Sequence, residues 1–286
     1  MVVRVAKAVD PRAPGLPPVP SGVTEISRGV VRILAPNPSP MTLDGTNTYL
    51  VCDLSRRRAI VIDPGPVMPE HLGAIVGAVR SRELEVRLVI TTHGHPDHAA
   101  AGQLAAEEFK VRLVTAQELA GSMRSGAVLA EIDVRVLATP GHSADSLSYV
   151  SADGILMSGD HLLGRGTTAI LHPDGSLGQY LRSLTVVEGA HFAMIAPGHG
   201  PAMDADLGRQ VIAYYRAHRL ERIEQVRSLL DAGVTQVSSV VSAIYGPVED
   251  PVVAWSARAS TLATIAYLGE DGDWTLEGDQ IVHRLH

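Results

Sequence analysis

One cysteine, Cys52, stands in 286 residues. No intramolecular disulfide can form, and a thiolate-rich zinc cluster is excluded. Aromatic residues make up only 4%, too few for a platform on which nucleic-acid bases would stack. No apolar run approaches the roughly 20 residues of a membrane span. An excess of basic charge is missing as well: 24 Lys and Arg face 31 Asp and Glu, a formal net charge of −7. That balance argues against a protein whose main task is gripping a nucleic-acid backbone. The N-terminus (MVVRVAKAVD) carries no apolar segment ahead of a small-residue cleavage site. Together with the lone cysteine it predicts a reducing, cytoplasmic setting. Against these shortages stand a hydrophobic fraction of 45%, enough for an ordinary core, and 12 histidines. Where the histidines fall carries the rest of the reading.

Residues 10–20 (DPRAPGLPPVP) hold five prolines. Proline at that density removes donors and favours extended chain, so residues 1–22 read as a tail or wrapping arm. Short β-type runs follow at 30–34 (VVRIL), 47–51 (NTYLV) and 59–62 (AIVI), with turn signals at 36–40 and 43–46 between them. Beyond Asp63 the grammar alternates. Helical spacing is found at 69–81, 96–109 and 177–189, and strand-like runs at 87–92, 111–116, 134–139, 147–150, 155–158 and 193–196. The expected architecture is α+β, two mixed sheets face to face with helices outside. A long amphipathic helix spans 204–232, and further helices at 235–245 and 250–268 precede a hairpin at 274–285. Helix, helix and wing outline a winged-helix-like unit. The expected division is therefore an arm (1–22), a main domain (23–232) and a small C-terminal domain (233–286).

The run THGHPDH (92–98) places His93, His95, Asp97 and His98 between an apolar strand and a helix start. In a tight loop leaving a strand, His93 and His95 can face one ion, while Asp97 and His98 can face a second. Imidazole and carboxylate without thiolate suit zinc, iron or manganese. Three more clusters each follow a strand-like run: TPGHS (139–143) with His142, SGD (158–160) with Asp160, and PGHG (197–200) with His199. Ligands gathered from strand ends along one sheet edge are how a rigid scaffold builds a metal site. Cys52 reads as buried apolar filler rather than a reactive thiol.

This ordered set resembles the metallo-β-lactamase superfamily, whose fold is a four-layer αββα sandwich with metals at one edge. The resemblance covers about residues 23–232. It implies two Zn2+ ions per chain, with iron or manganese as alternatives. His93, His95 and His142 would hold one ion and Asp97, His98 and His199 the other, with Asp160 bridging. Asp63, in the IDPG turn, would orient a metal-bound histidine without binding metal itself. The implied chemistry is hydrolysis by a metal-bridged hydroxide, with Asp97 as the proton acceptor and no serine or cysteine nucleophile.

Within that superfamily, PSPMTLDGTNTYLV (38–51), GDHLLGRGTT (159–168), PGHGP (197–201) and HRLERIEQV (218–226) resemble a lactamase-like subgroup. It includes the animal mitochondrial endoribonuclease and fungal polyketide thioesterases. The resemblance makes Thr46, Asn47, Tyr49, Gly166, Thr167 and Thr168 candidates for the substrate wall, and His218 and Arg219 candidates for covering its mouth. Residues 233–286 carry seven acidic side chains and two basic ones, Arg258 and Arg284. A DNA-reading wing needs a positive face, so this segment reads as a packing cap or dimer surface, and DNA is not an expected partner. The leading reading is a hydrolase of a small acyl thioester, ester or lactone. Behind it stand an endoribonuclease on single-stranded RNA, a glyoxalase II-like or persulfide dioxygenase-like enzyme, and a non-catalytic sensor with a DNA-binding wing.

Overall fold

The structure is a computed structural model describing residues 18–122, 124–271 and 274–283; residues 1–17 of the proline-rich arm lie outside them. A six-stranded sheet is built from Gly22–Ser27 (β1), Val30–Leu34 (β2), Asn47–Asp53 (β3), Arg58–Ile62 (β4), Glu85–Ile90 (β5) and Leu113–Val114 (β6), in that order across the sheet. The first four strands pair antiparallel, and β5 and β6 join in parallel. The second sheet contains Val134–Ala138 (β7), Leu147–Ser151 (β8), Ile155–Gly159 (β9), Met194–Pro197 (β10) and Met203–Asp204 (β11), ordered β11-β10-β9-β8-β7. Parallel neighbours need crossover connections. These run through helices Pro69–Ser81 (α1), Pro96–Ala99 (α2) and Gly102–Phe109 (α3) in the first sheet, and Leu177–Glu188 (α5) in the second.

Three apolar clusters correspond to the three interfaces of a four-layer sandwich. Residues alternate between them along each strand, as the pleat dictates. In β4, Ile60 and Ile62 point between the sheets, towards Val136 and Met157, whereas Val61 points outward to Ile75 and Val79 of α1 and Ala105 of α3. On the far face, Leu156 and Ile195 meet Tyr180 and Leu184 of α5 and Val211 and Tyr215 of the long helix Ala205–Asp231 (α6). That cluster continues into the C-terminal elements: Val237 and Val240 of Val237–Tyr245 (α7), Ala263, Ile265 and Leu268 of Pro251–Leu268 (α8), and Ile281 of a hairpin, Trp274–Glu277 (β12) and Gln280–His283 (β13). Among the described residues, no helix is long and apolar enough to cross a membrane.

Four local departures from the sequence reading have physical causes. The helix expected over 96–109 breaks into α2 and α3, because the Ala101 N–H donates to Gly65 O at 3.0 Å instead of continuing the helical ladder. The strand expected over 111–116 shrinks to Leu113–Val114 because Thr115 caps an additional helix, Ala116–Ser122 (α4). Thr115 N donates to Glu118 Oε2 at 2.8 Å, and Glu118 N donates back to Thr115 Oγ1 at 3.3 Å. This is a capping box. Gly22–Ser27 adds an edge strand ahead of the expected meander. Asp204, expected as the first residue of the long helix, is its N-cap, accepting from Leu207 N at 2.8 Å.

Candidate metal centre

The polar clusters named above lie at the carboxyl ends of β4, β5, β7, β9 and β10, along one edge of the sandwich. Leaving β5, the chain turns at Thr91–Gly94 and starts α2 at Pro96 with His95 as its N-cap residue. This short turn places four ligand-type side chains within six residues. The donor atoms of His93, His95 and His142 lie within 4.8 Å of one another, as do those of Asp97, His98 and His199, and those of His93, His98 and Asp160. Asp160 faces both groups. Its Oδ2 is 3.7 Å from His142 Nε2, and its Oδ1 is 3.3 Å from His98 Nε2 and 3.4 Å from His199 Nε2. Close approach at this edge depends on Gly198, where a Cβ would come within 2.6 Å of Asp160 Oδ1 and 2.7 Å of His98 Cε1.

The ring nitrogens face one another rather than outside partners. His142 Nε2 is 3.0 Å from His95 Nδ1, and His98 Nε2 is 3.2 Å from His199 Nε2. His93 Nε2 and Asp160 Oδ1 are buried without a hydrogen bond. Buried polar atoms are normally satisfied, so converging, unsatisfied lone pairs of this kind fit a divalent cation.

Their opposite ring nitrogens are held from behind. Asp63, buried beyond β4 with a left-handed φ of 52°, accepts from Thr92 N at 2.6 Å and from Thr92 Oγ1 at 2.7 Å, and its Oδ2 lies 2.9 Å from His98 Nδ1. Thr48 Oγ1 donates to Asp63 O at 2.6 Å and is itself 2.8 Å from His71 Nε2. Ala169 O, at 2.6 Å, and Thr168 Oγ1, at 3.2 Å, meet His142 Nδ1, and Gly45 O meets His199 Nδ1 at 3.2 Å. Backbone carbonyls and a carboxylate in these places fix ring orientation and tautomer.

Charge within the cluster separates the rings. Burial opposes protonation of His93, His98, His142 and His199 alike. For His98 the carboxylates of Asp160, Asp63 and Asp97 outweigh it and raise the pKa well above the usual value. His199 is likewise raised against its burial, to about 9, chiefly by Asp160. His93 and His142 go the other way, lowered by burial, with His98 adding to the effect at His93. Burial would raise Asp97 and Asp160, but the facing histidines hold both below the ordinary carboxylate range.

Comparison with known proteins decides what this edge belongs to. The sequence profile of the metallo-beta-lactamase superfamily matches residues 41–129. The Drosophila melanogaster protein named beta-lactamase-like protein 2 homolog is 31% identical over 261 residues, covering 83% of this chain and 86% of the relative. The chain belongs to the metallo-beta-lactamase superfamily. An Aspergillus chevalieri member named atrochrysone carboxyl ACP thioesterase is 32% identical over 253 residues, 83% of this chain and 79% of its own. The crystal structure of a beta-lactamase domain protein from Burkholderia ambifaria aligns over 92% of this chain and 93% of its own, with a TM-score of 0.76 at 24% identity.

In this superfamily member the expected wall residues sort into two kinds. Thr46, Asn47 and Tyr49 are buried. Asn47 Nδ2 donates to Pro197 O and Gly200 O, each at 2.9 Å, and Tyr49 Oη donates to Pro197 O at 2.7 Å. Thr46 bridges the backbone of His199. All three brace the loop carrying His199 and present no side-chain surface to a ligand. Thr168 is also buried, against His142, while Gly166 and Thr167 remain half-exposed. Arg219, the residue expected at the mouth, lies in the interior. It is buried beneath this segment, donating through Nη2 to Thr168 O, with its guanidinium 5.4 Å from the Tyr180 ring centroid. His218 is half-buried and stacks on Tyr214. Sequence reasoning singled out none of the carbonyls of Gly45 and Ala169, nor Thr48 and His71. Any residue supplies a carbonyl, so composition leaves no trace of that role.

Proposed function

We propose that the chain is a metal-dependent hydrolase of small acyl compounds, a thioester before an ester or lactone. The observation that carries this reading is the pair of donor trios, largely buried, that both lie within ion-pair distance of Asp160. His93, His95 and His142 would hold one cation and Asp97, His98 and His199 the other, with Asp160 between them. Zinc suits the donors best, and iron and manganese share them. Paired cations at such a site lower the pKa of a water and polarise the acyl oxygen. The residues do the remainder. Asp63 and the Ala169 and Gly45 carbonyls hold His98, His142 and His199 in fixed orientations. Asp97 is the more open carboxylate of the cluster, 28% exposed against 11% for Asp160. Held ionised by its histidine neighbours, Asp97 would accept at its carboxylate the proton that the attacking water sheds. The acyl–sulfur bond would then break, and the leaving thiolate would take up that proton from Asp97.

The thioesterase name of the Aspergillus relative supports the acyl reading. So does the fate of four of the five arginines on α6, which an RNA backbone would need; the fifth, Arg227, is exposed. Arg209 pairs with Asp206, Arg216 with Glu188, Arg222 with Gln225, and Arg219 is buried. Metal analysis of the purified protein, followed by a panel of acyl thioesters, esters, lactones and short single-stranded RNAs, tests the reading. Expected are about two ions per chain and thioester cleavage that chelation abolishes and zinc restores. Full activity after metal removal, or cleavage of RNA alone, would overturn it.

A further inference from the structure

The two halves of the cluster are joined behind the ligands by a route that does not pass through them. Asp44 precedes Gly45, whose carbonyl meets His199 Nδ1. The Asp44 carboxylate forms an ion pair with Arg165 and also accepts from Val19 N at 3.1 Å. Arg165 opens the segment that ends at Thr168 and Ala169, the two groups on His142 Nδ1. Immediately before it, Gly164 N donates to His199 O at 2.9 Å. The far end of the segment is fixed by Arg219 at Thr168 O and by Ser260 Oγ, which accepts from Ile170 N at 3.3 Å. Between these anchors lie Gly166 and Thr167, half-exposed, with Gly166 at a φ of 71° and open space around it.

We propose that Asp44 and Arg165 are a positioning pair that couples the two cation positions, setting the His142 and His199 rings relative to one another. The inference rests on the metal reading of the site. It follows from what the pair can and cannot contribute. Its side chains are 22% and 26% exposed, and ion pairs open to water add little to global stability. The site they frame is far more demanding, because ligand constellations lose function when displaced by a fraction of an ångström. The pair is the one ionic contact among those described that joins the Gly45 side to the Arg165–Ala169 side. A residue with this role affects cation binding more than folding.

The test compares the full-length protein with Arg165→Gln, Asp44→Asn, the double variant and Arg165→Lys. Zinc affinity and stoichiometry are read by chelator competition, ligand geometry by the visible spectrum of the cobalt-loaded protein, and folding by the melting temperature after chelation. Expected for each neutralising single variant is about a tenfold loss of affinity at both ions, in the range seen when groups behind a metal ligand are removed, with an altered cobalt spectrum. The double variant should be no worse than either single one, and Arg165→Lys, which keeps the charge, should recover most of the loss. Melting of the chelated protein should stay at the wild-type value. Unchanged affinity and spectrum, a loss confined to one ion, additive losses, or a parallel fall in melting temperature would each overturn the pairing role. Wild-type protein that takes up no metal would sink the site reading itself, whereas wild type with two ions beside unchanged variants sinks the pair alone.

Discussion

At the scale of single residues, the support groups make sharper claims than the ligands do. Asp63 is buried and receives three polar contacts, including His98 Nδ1. Asp63→Asn keeps the shape and tolerates the left-handed backbone, but it removes the charge that orients His98. Zinc affinity is expected to fall about 10- to 100-fold, measured by chelator competition. His161 differs: both ring nitrogens are buried without a partner, and burial, with His142 nearby, pushes its pKa down to about 3. Leaving a polar ring unsatisfied costs on the order of 1–3 kcal/mol. His161→Leu should therefore leave thermal stability unchanged or raise it, with metal content intact; a cooperative melt and metal analysis decide. The titration of His199 gives a pH prediction. Its pKa is raised to about 9 from an ordinary 6.5, so its ionised ring stabilises the chelated protein fully below 6.5, and that contribution disappears as pH climbs through 9. A cation must displace the same proton. Between pH 6.5 and 9, melting of the chelated protein should fall while zinc affinity rises, and two flat profiles would contradict this.

At the scale of elements, the sequence was most legible where period and punctuation agree. The helix at 69–81 begins with Pro69 at its first position and the structure returns Pro69–Ser81. The hairpin of β8 and β9 and the long α6 were equally visible. The break between α2 and α3 was hidden, because the acceptor that interrupts it, Gly65 O, lies 36 residues upstream and only tertiary structure brings it to Ala101 N. Helix α4 was legible in principle: TAQE at 115–118 is a capping box, overshadowed by the β-branched run before it. Thr115→Ala should cost about 1 kcal/mol, measured by denaturant unfolding, and should fray α4 without touching the metal centre. For the centre, histidines and aspartates announced themselves by type and spacing. Its bracing did not, because Asn47 and Tyr49 act on Pro197 O from 148 to 150 residues away.

At the scale of the whole molecule, the layered core follows from strands with apolar residues on both faces, as in β4. Ile62 is fully buried between the sheets, one residue before Asp63. Ile62→Ala should destabilise by about 2–5 kcal/mol, measured by urea unfolding. Because it loosens the floor under Asp63, it should weaken zinc binding as well. The C-terminal helices share the outer apolar cluster with α5 and α6, which places Ser260 of α8 against the segment that touches His142.

The ligand-type side chains come from both sheets: His93, His95, Asp97 and His98 follow β5 of the first, and His142, Asp160 and His199 follow strands of the second. Prying the two slabs apart would tear this cluster in half before much of the interior became wet. A cation held there would act as a rivet through the sandwich, so the ligands that grip it would also resist heat.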